Sequence, residues 1–279
     1  MILKNTPYFM AKNSETVPTY AGLKLKDLSF TGSDPRAPMQ ILTVKDDQQR
    51  AFLQNKSQTM PNDLIGTHAF ELLCQRMLAT VTDPEAGGVG LAAPQVGIGL
   101  KVIAVQRFDK EEAPFEIFVN PCISEYGGEP KTAEEGCLSV PDESDFVTRA
   151  TRITVRHTSP ATLKEEEITI EGFTAVIFQH EIDHLDGILY TDRAEEQTRR
   201  LSYIPDRSVC ATQIDLAVRG GIVIEASVTG GCKGNRQAVC ALVKGMEIED
   251  VISKLKGIKC GDKATSCPDQ LALALEQMS

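Results

Sequence analysis

The sequence predicts an α+β fold: short strands and a buried helix in a main domain, followed by a small C-terminal α+β domain. Three observations lead there. Strand patterns stand at 101–106, 115–119 and 152–156, and 167–170 resembles the hairpin partner of the last. The run Phe173–Asp186 is apolar at Val176, Ile177, Ile182 and Leu185 and is closed by Gly187, the pattern of a helix with a glycine stop. Past residue 206 the composition shifts, and Gly220-Gly221 between apolar alternations marks a new hairpin.

Taken in order, residues 1–38 are rich in Pro, Thr, Ser and Lys and read as an extension, a strand or two laid on the main domain. A helix is expected from Met60, started by Pro61-Asn62-Asp63 and carrying Leu64, Phe70, Leu73 and Met77 on one face. Cys74 falls among these core positions and reads as a small buried hydrophobe. In Arg152–Arg156, Ile153 and Val155 point inward, and Glu167–Ile170 resembles a hairpin partner. Tyr203-Ile204-Pro205-Asp206 marks a boundary. Beyond it, Ile214/Leu216/Val218 and Ile222/Ile224 form a hairpin, and helical patterns follow at 237–244, 248–255 and 268–277. The expected division is thus 1–38 extension, 39–205 main domain and 206–279 a second, cysteine-containing domain.

The 279 residues carry a formal charge of −10, which argues against general nucleic-acid binding because that needs a basic face. From Asp206 onward acidic and basic residues balance at nine each, so the acidic excess lies in the main domain. No apolar run approaches bilayer length, and Met1–Ser14 has no continuous apolar core, so a cytoplasmic protein is expected. In that compartment the eight cysteines, five of them after residue 209, suggest metal binding or catalysis before disulfides.

The sharpest chemical signal is His180-Glu181-Ile182-Asp183-His184. On a helix the two imidazoles project from one face and can hold one ion, and Glu181 can reach a water on it. The bland alternative is a chance spacing on a solvated helix. The apolar flanks oppose it, since burying unpaired polar groups costs roughly 2–7 kcal/mol each. For a third ligand, Glu195 and Glu196 lie in the polar run Asp192–Arg200, which reads as a solvated face. A better candidate is Cys137 in Glu134-Glu135-Gly136-Cys137-Leu138-Ser139-Val140-Pro141, although a lone cysteine is more often inert core. A third segment, Gly88-Val89-Gly90-Leu91-Ala92-Ala93-Pro94-Gln95-Val96-Gly97, lacks the Lys-Ser/Thr ending of a phosphate loop and is too apolar for a linker.

Together and in this order, these segments resemble the three motifs of the peptide deformylase family, over about Met39 to Tyr190. The opening Ile41-Leu42-Thr43-Val44 fits, while the family's Pro-x-Leu-Arg is replaced by Ala51-Phe52-Leu53-Gln54, a departure expected to touch an N-terminal strand and not the chemistry. The resemblance implies deformylase-type antiparallel sheets around a central His-Glu-x-x-His helix. It implies that Cys137, His180 and His184 hold one divalent ion, Fe(2+) in the family, with Zn(2+), Ni(2+) or Co(2+) able to substitute. Glu181 is then the base, and Gln95 and the Leu138 N–H stabilise the oxyanion, each such donor being worth roughly 2.7–4 kcal/mol. Val89, Gly90 and Gly136 pair with the substrate backbone, and Val176 and Ile177 wall the methionine slot. The implied reaction removes the formyl group from N-formyl-methionyl nascent peptides, with contact to the ribosome. Some members dock there through a basic C-terminal helix, whereas this chain ends in a charge-balanced domain.

That domain resembles one named for its Thr265-Ser266-Cys267-Pro268-Asp269 run, with Gly230-Gly231-Cys232 and Gly257-Ile258-Lys259-Cys260-Gly261 also matching. Cys240 reads as core beside Val239, Leu242 and Val243. Cys210, Cys232, Cys260 and Cys267 are candidates for a second metal site, with a reduced metal-free set as the alternative; no pair has Cys-x-x-Cys spacing. The tail is expected to be removable without loss of small-peptide chemistry. Two rival readings are a proteolytic metal hydrolase, which the upstream Cys137 argues against, and a non-catalytic metal-binding regulator, which the presence of both Glu181 and Gln95 argues against.

Overall fold

The computed structural model describes residues 34–279; positions 1–33 of the expected extension lie outside the described residues. Asp46 caps the short helix α1 (Asp47–Leu53) by accepting from the Gln48 and Gln49 N–H groups. Ala51–Leu53 therefore belong to a helix and not to the expected strand. Helix α2 (His68–Val81) begins later than Pro61-Asn62-Asp63 suggested. Gly66 turns the chain at φ +79°, and Thr67 then caps the helix through the Phe70 N–H. Cys74 packs against the core as expected, and burial pushes its thiol up to about 12.

The main sheet is antiparallel, in the order β1 (Gly90–Ala92), β2 (Val102–Gln106), β3 (Phe115–Gly127), β6 (Arg152–Thr158), β7 (Glu165–Glu171). β3 runs well past the expected Val119. Strand β2 is buried on both faces: Val102 and Ala104 join the α2 core, while Ile103 and Val105 join a second core with α3 (Gly172–Leu185). Ile153 and Val155 of β6 face this same second core, as the alternation predicted. Helix α3 is thus held on the sheet, and Gly187 ends it at φ +74°. Strands β4 (Lys131–Cys137) and β5 (Val140–Arg149) form a separate two-stranded sheet packed on α4 (Tyr190–Glu196).

The C-terminal unit joins β8 (Arg199–Tyr203), β9 (Ala211–Arg219) and β10 (Ile222–Gly230) to α5 (Lys233–Val243), α6 (Ile248–Leu255) and α7 (Cys267–Leu275). Gly220 and Gly221, both at positive φ, make the two-residue β9–β10 turn. Because β8 pairs with β9, this hydrogen-bonded unit starts at Arg199, ahead of the division expected at 205/206. Cys240 is half-buried rather than core, and its neighbour Leu242 points to solvent. No helix among the described residues is long and apolar enough to cross a membrane.

Candidate metal centre and active site

Four residues apart on α3, His180 and His184 share a face, with ring centroids 5.0 Å apart. The end of β4 brings Cys137 beside them, its Sγ 3.2 Å from His184 Nε2. The sulfur and one nitrogen of each ring lie within 4.8 Å of one another; among the described residues no other three His, Cys, Asp or Glu side chains meet in this way. Burial works against a charged Cys137, but His184 and His180 hold the thiol well below its ordinary value, and it is the thiolate that binds a metal. One thiolate and two imidazoles suit iron, zinc, nickel or cobalt, and three protein ligands leave a position open for chemistry.

Glu181 supports this fit. It is buried, its Oε2 has no hydrogen-bond partner, and burial pushes the carboxyl up to about 7 against the pull of the neighbouring histidines. A polar atom so placed is stabilised only by a water or substrate group delivered to it. Gly90 is what makes room: a Cβ there would stand 2.3 Å from Glu181 Oε1. Gly90→Ala should therefore displace the carboxylate and lower turnover about 10²-fold, as misplacement by about an ångström does, with metal content unchanged. Paired turnover and metal assays check this.

Gln95 is aimed as carefully. Its Oε1 accepts from the Ala92 N–H at 2.8 Å, which turns the amide nitrogen toward Cys137 Sγ (3.5 Å) and Ser139 Oγ (3.2 Å). The expected Ile41–Val44 segment binds both motif loops, the Leu42 N–H donating to Gln95 O and the Val44 N–H to Ser139 O. Val89, Gly90, Gly136, Leu138, Val176 and Ile177 line one cavity of about 420 Å³ with Gln95, Cys137, His180 and Glu181. The Val89 carbonyl already accepts from Gln106 N–H at 2.9 Å, so alternation turns the backbone groups of Gly90 to the open edge of β1.

The cysteines read as a second site lie on separate segments. Cys210 precedes β9, Cys232 caps α5, Cys260 lies in a loop and Cys267 opens α7, each fixed by its own segment. Among the described residues they form no group of three donors within 4.8 Å.

The family model described as Polypeptide deformylase matches residues 38–200. The chain belongs to the polypeptide deformylase family. A second model, the TSCPD domain, matches residues 187–279. The peptide deformylase of Desulforudis audaxviator is 47% identical over 122 residues, 43% of this chain and 77% of that protein. That of Leptospira biflexa is 35% identical over 171 residues, 59% and 93% of the two chains. The Met-Ala-Ser-bound crystal structure of a class I type b peptide deformylase from Acinetobacter baumannii superposes with a TM-score of 0.50 at 34% identity, covering 57% of this chain and 99% of that one.

Sequence reasoning missed what orients the ligands at this site. Glu135 Oε2 sits 2.9 Å from His180 Nδ1, which leaves the other ring nitrogen for an ion. Arg149 holds Glu135 through Nε at 2.9 Å and reaches Asp183 through Nη1 at 2.5 Å; Arg193 closes the chain on Asp183 at 2.7 Å. Burial would raise Glu135, but His180 and Arg149 prevail and hold it at about 2. Arg193 thus departs from the solvated reading of Asp192–Arg200, whereas Glu195 in the same run makes only an exposed pair with Arg200. One signal was available: Asp183 on an apolar helix demands a buried cation.

Proposed function

We propose that the chain hydrolyses the N-formyl group of formyl-methionyl peptides at this centre, releasing formate and a free amino terminus. The observation that carries the reading is the meeting of Cys137, His180 and His184, the first two lining one cavity with Glu181, whose Oε2 is unpartnered. A divalent ion held by those three residues supplies an acidified water and a Lewis acid for the formyl oxygen. Glu181 takes the proton of the attacking water and returns it to the departing amine. Gln95 Nε2 and the Leu138 N–H donate to the formyl oxygen as charge builds there. The peptide lies as an added strand between the open edges of β1 and β4, paired through Gly90 and Gly136, with Val89 beside it. Val176 and Ile177 flank the methionine side chain. On this reading the substrates are nascent chains met in the cytoplasm near the ribosome, and residues after Tyr190 supply none of these groups.

Formyl-, acetyl- and unblocked Met-Ala-Ser offered side by side test the reading. Formate should appear from the first, with the other two untouched; cleavage of internal bonds in the unblocked peptide would favour a protease instead.

We further propose Fe(2+) as the ion. A thiolate on ferrous iron is oxidisable, so the iron form should lose activity in air while the cobalt or nickel form persists. Equal lifetimes with and without oxygen, with iron verified as bound, would contradict ligation by Cys137.

A further inference from the structure

The hairpin that delivers Cys137 stands apart from the main sheet, since β4 and β5 pair only with each other. A lone two-stranded hairpin is marginal in water and depends on what packs against it. Its two edges have different neighbours. β4 lines the cavity through Ala133, Glu134 and Gly136. β5 is gripped from behind. The Gln197 side chain holds both backbone groups of Thr148, at 2.8 and 2.9 Å. Arg219, the last residue of β9, donates from Nη1 to Asp145 Oδ1 at 2.7 Å and to the Phe146 carbonyl.

Arg219 is a built contact and not a stray surface pair. Its side chain is 3% exposed, and its remaining nitrogens donate to Thr198 Oγ1 at 3.0 and 2.8 Å. The next residue, Gly220, presses on the hairpin so closely that a Cβ would fall 1.7 Å from Thr132 Oγ1, and its carbonyl accepts from that hydroxyl at 3.2 Å. In register, Asp145 and Phe146 stand opposite Glu135 and Glu134. The grip is therefore one strand away from the carboxylate that orients His180 and from the edge that faces the cavity.

We infer that Arg219 and the Gly220 turn are positioning elements of the active site. The C-terminal unit braces β5, so that β4 keeps the geometry that pairs with peptide and presents Cys137. This rests on the deformylase reading, and it replaces the expectation that the tail is dispensable for small peptides.

The test uses the full chain loaded with one ion. It compares Arg219→Ala, Arg219→Lys and Asp145→Asn with Val251→Ala, a control inside the C-terminal core that leaves Arg219 and Gly220 in place. Arg219→Ala should raise KM for formyl-Met-Ala-Ser by about 2- to 30-fold, the range of coupling through packed networks, and speed metal release to a chelator. Its kcat per bound ion should fall by less than KM rises. Arg219→Lys should recover part of the loss, Asp145→Asn should move the same way by less, and Val251→Ala should match wild type in both measures. If Arg219→Ala does not fold, Asp145→Asn carries the comparison. Unchanged KM and metal release in the folded variants would overturn the brace, as would equal shifts in Val251→Ala. A wild-type chain that releases no formate would instead overturn the deformylase reading, with chelator kinetics still reporting on the brace.

Discussion

Glu181→Gln should keep its metal and lose turnover by about 10²- to 10⁴-fold, the usual worth of a positioned general base. The amide fills the same buried space against Gly90, so the Cys137, His180 and His184 geometry has no reason to change. What it lacks is a group that can accept the water's proton and hand it to the amine. Formate release and metal analysis on one preparation decide the matter. Wild-type turnover would remove Glu181 as the base, whereas loss of the ion along with activity would make it a ligand.

The second large effect is expected at Arg149, which touches neither ion nor peptide. Arg149→Ala leaves Glu135 and Asp183 as buried carboxylates, Asp183 retaining only Arg193. Breaking a buried pair from one side costs about 3–5 kcal/mol, a large share of a domain's stability. It also frees the carboxylate that holds His180, and loss of such an orienting partner weakens metal binding by about 10–100-fold. Denaturant midpoints and a chelator competition measure the two effects separately. A variant as stable as wild type and with the same metal affinity would mean that the ion chain from His180 to Arg193 is incidental to the site.

The parts of this protein that were legible are those whose signal is local. The α3 period, its Gly187 stop and the His180–His184 spacing lie within one short stretch, and the Gly220-Gly221 turn announces itself between apolar alternations. The β4–β5 hairpin gave little sign because its strands are short of inward apolar residues: only Val140 and Val147 are buried hydrophobics there. Strands stabilised by packing at their ends and edges, rather than by a buried face, carry no alternation to read. The ion chain was hidden for a different reason, since Glu135, Arg149, Asp183 and Arg193 come from four elements and meet only in the fold. Arg219 at the end of a hairpin strand reads as an ordinary surface arginine until the main domain is set against it.

One ion on Cys137, His180 and His184 should account for all of the activity. Metal-free chain titrated anaerobically with ferrous ion, with formate release from formyl-Met-Ala-Ser followed at each addition, tests it most directly. Turnover should rise in proportion to bound iron and stop rising at one ion per chain, while Cys137→Ala should show neither tight binding nor turnover. Full activity in the metal-free chain, or a Cys137→Ala variant that binds iron and releases formate like wild type, would contradict it.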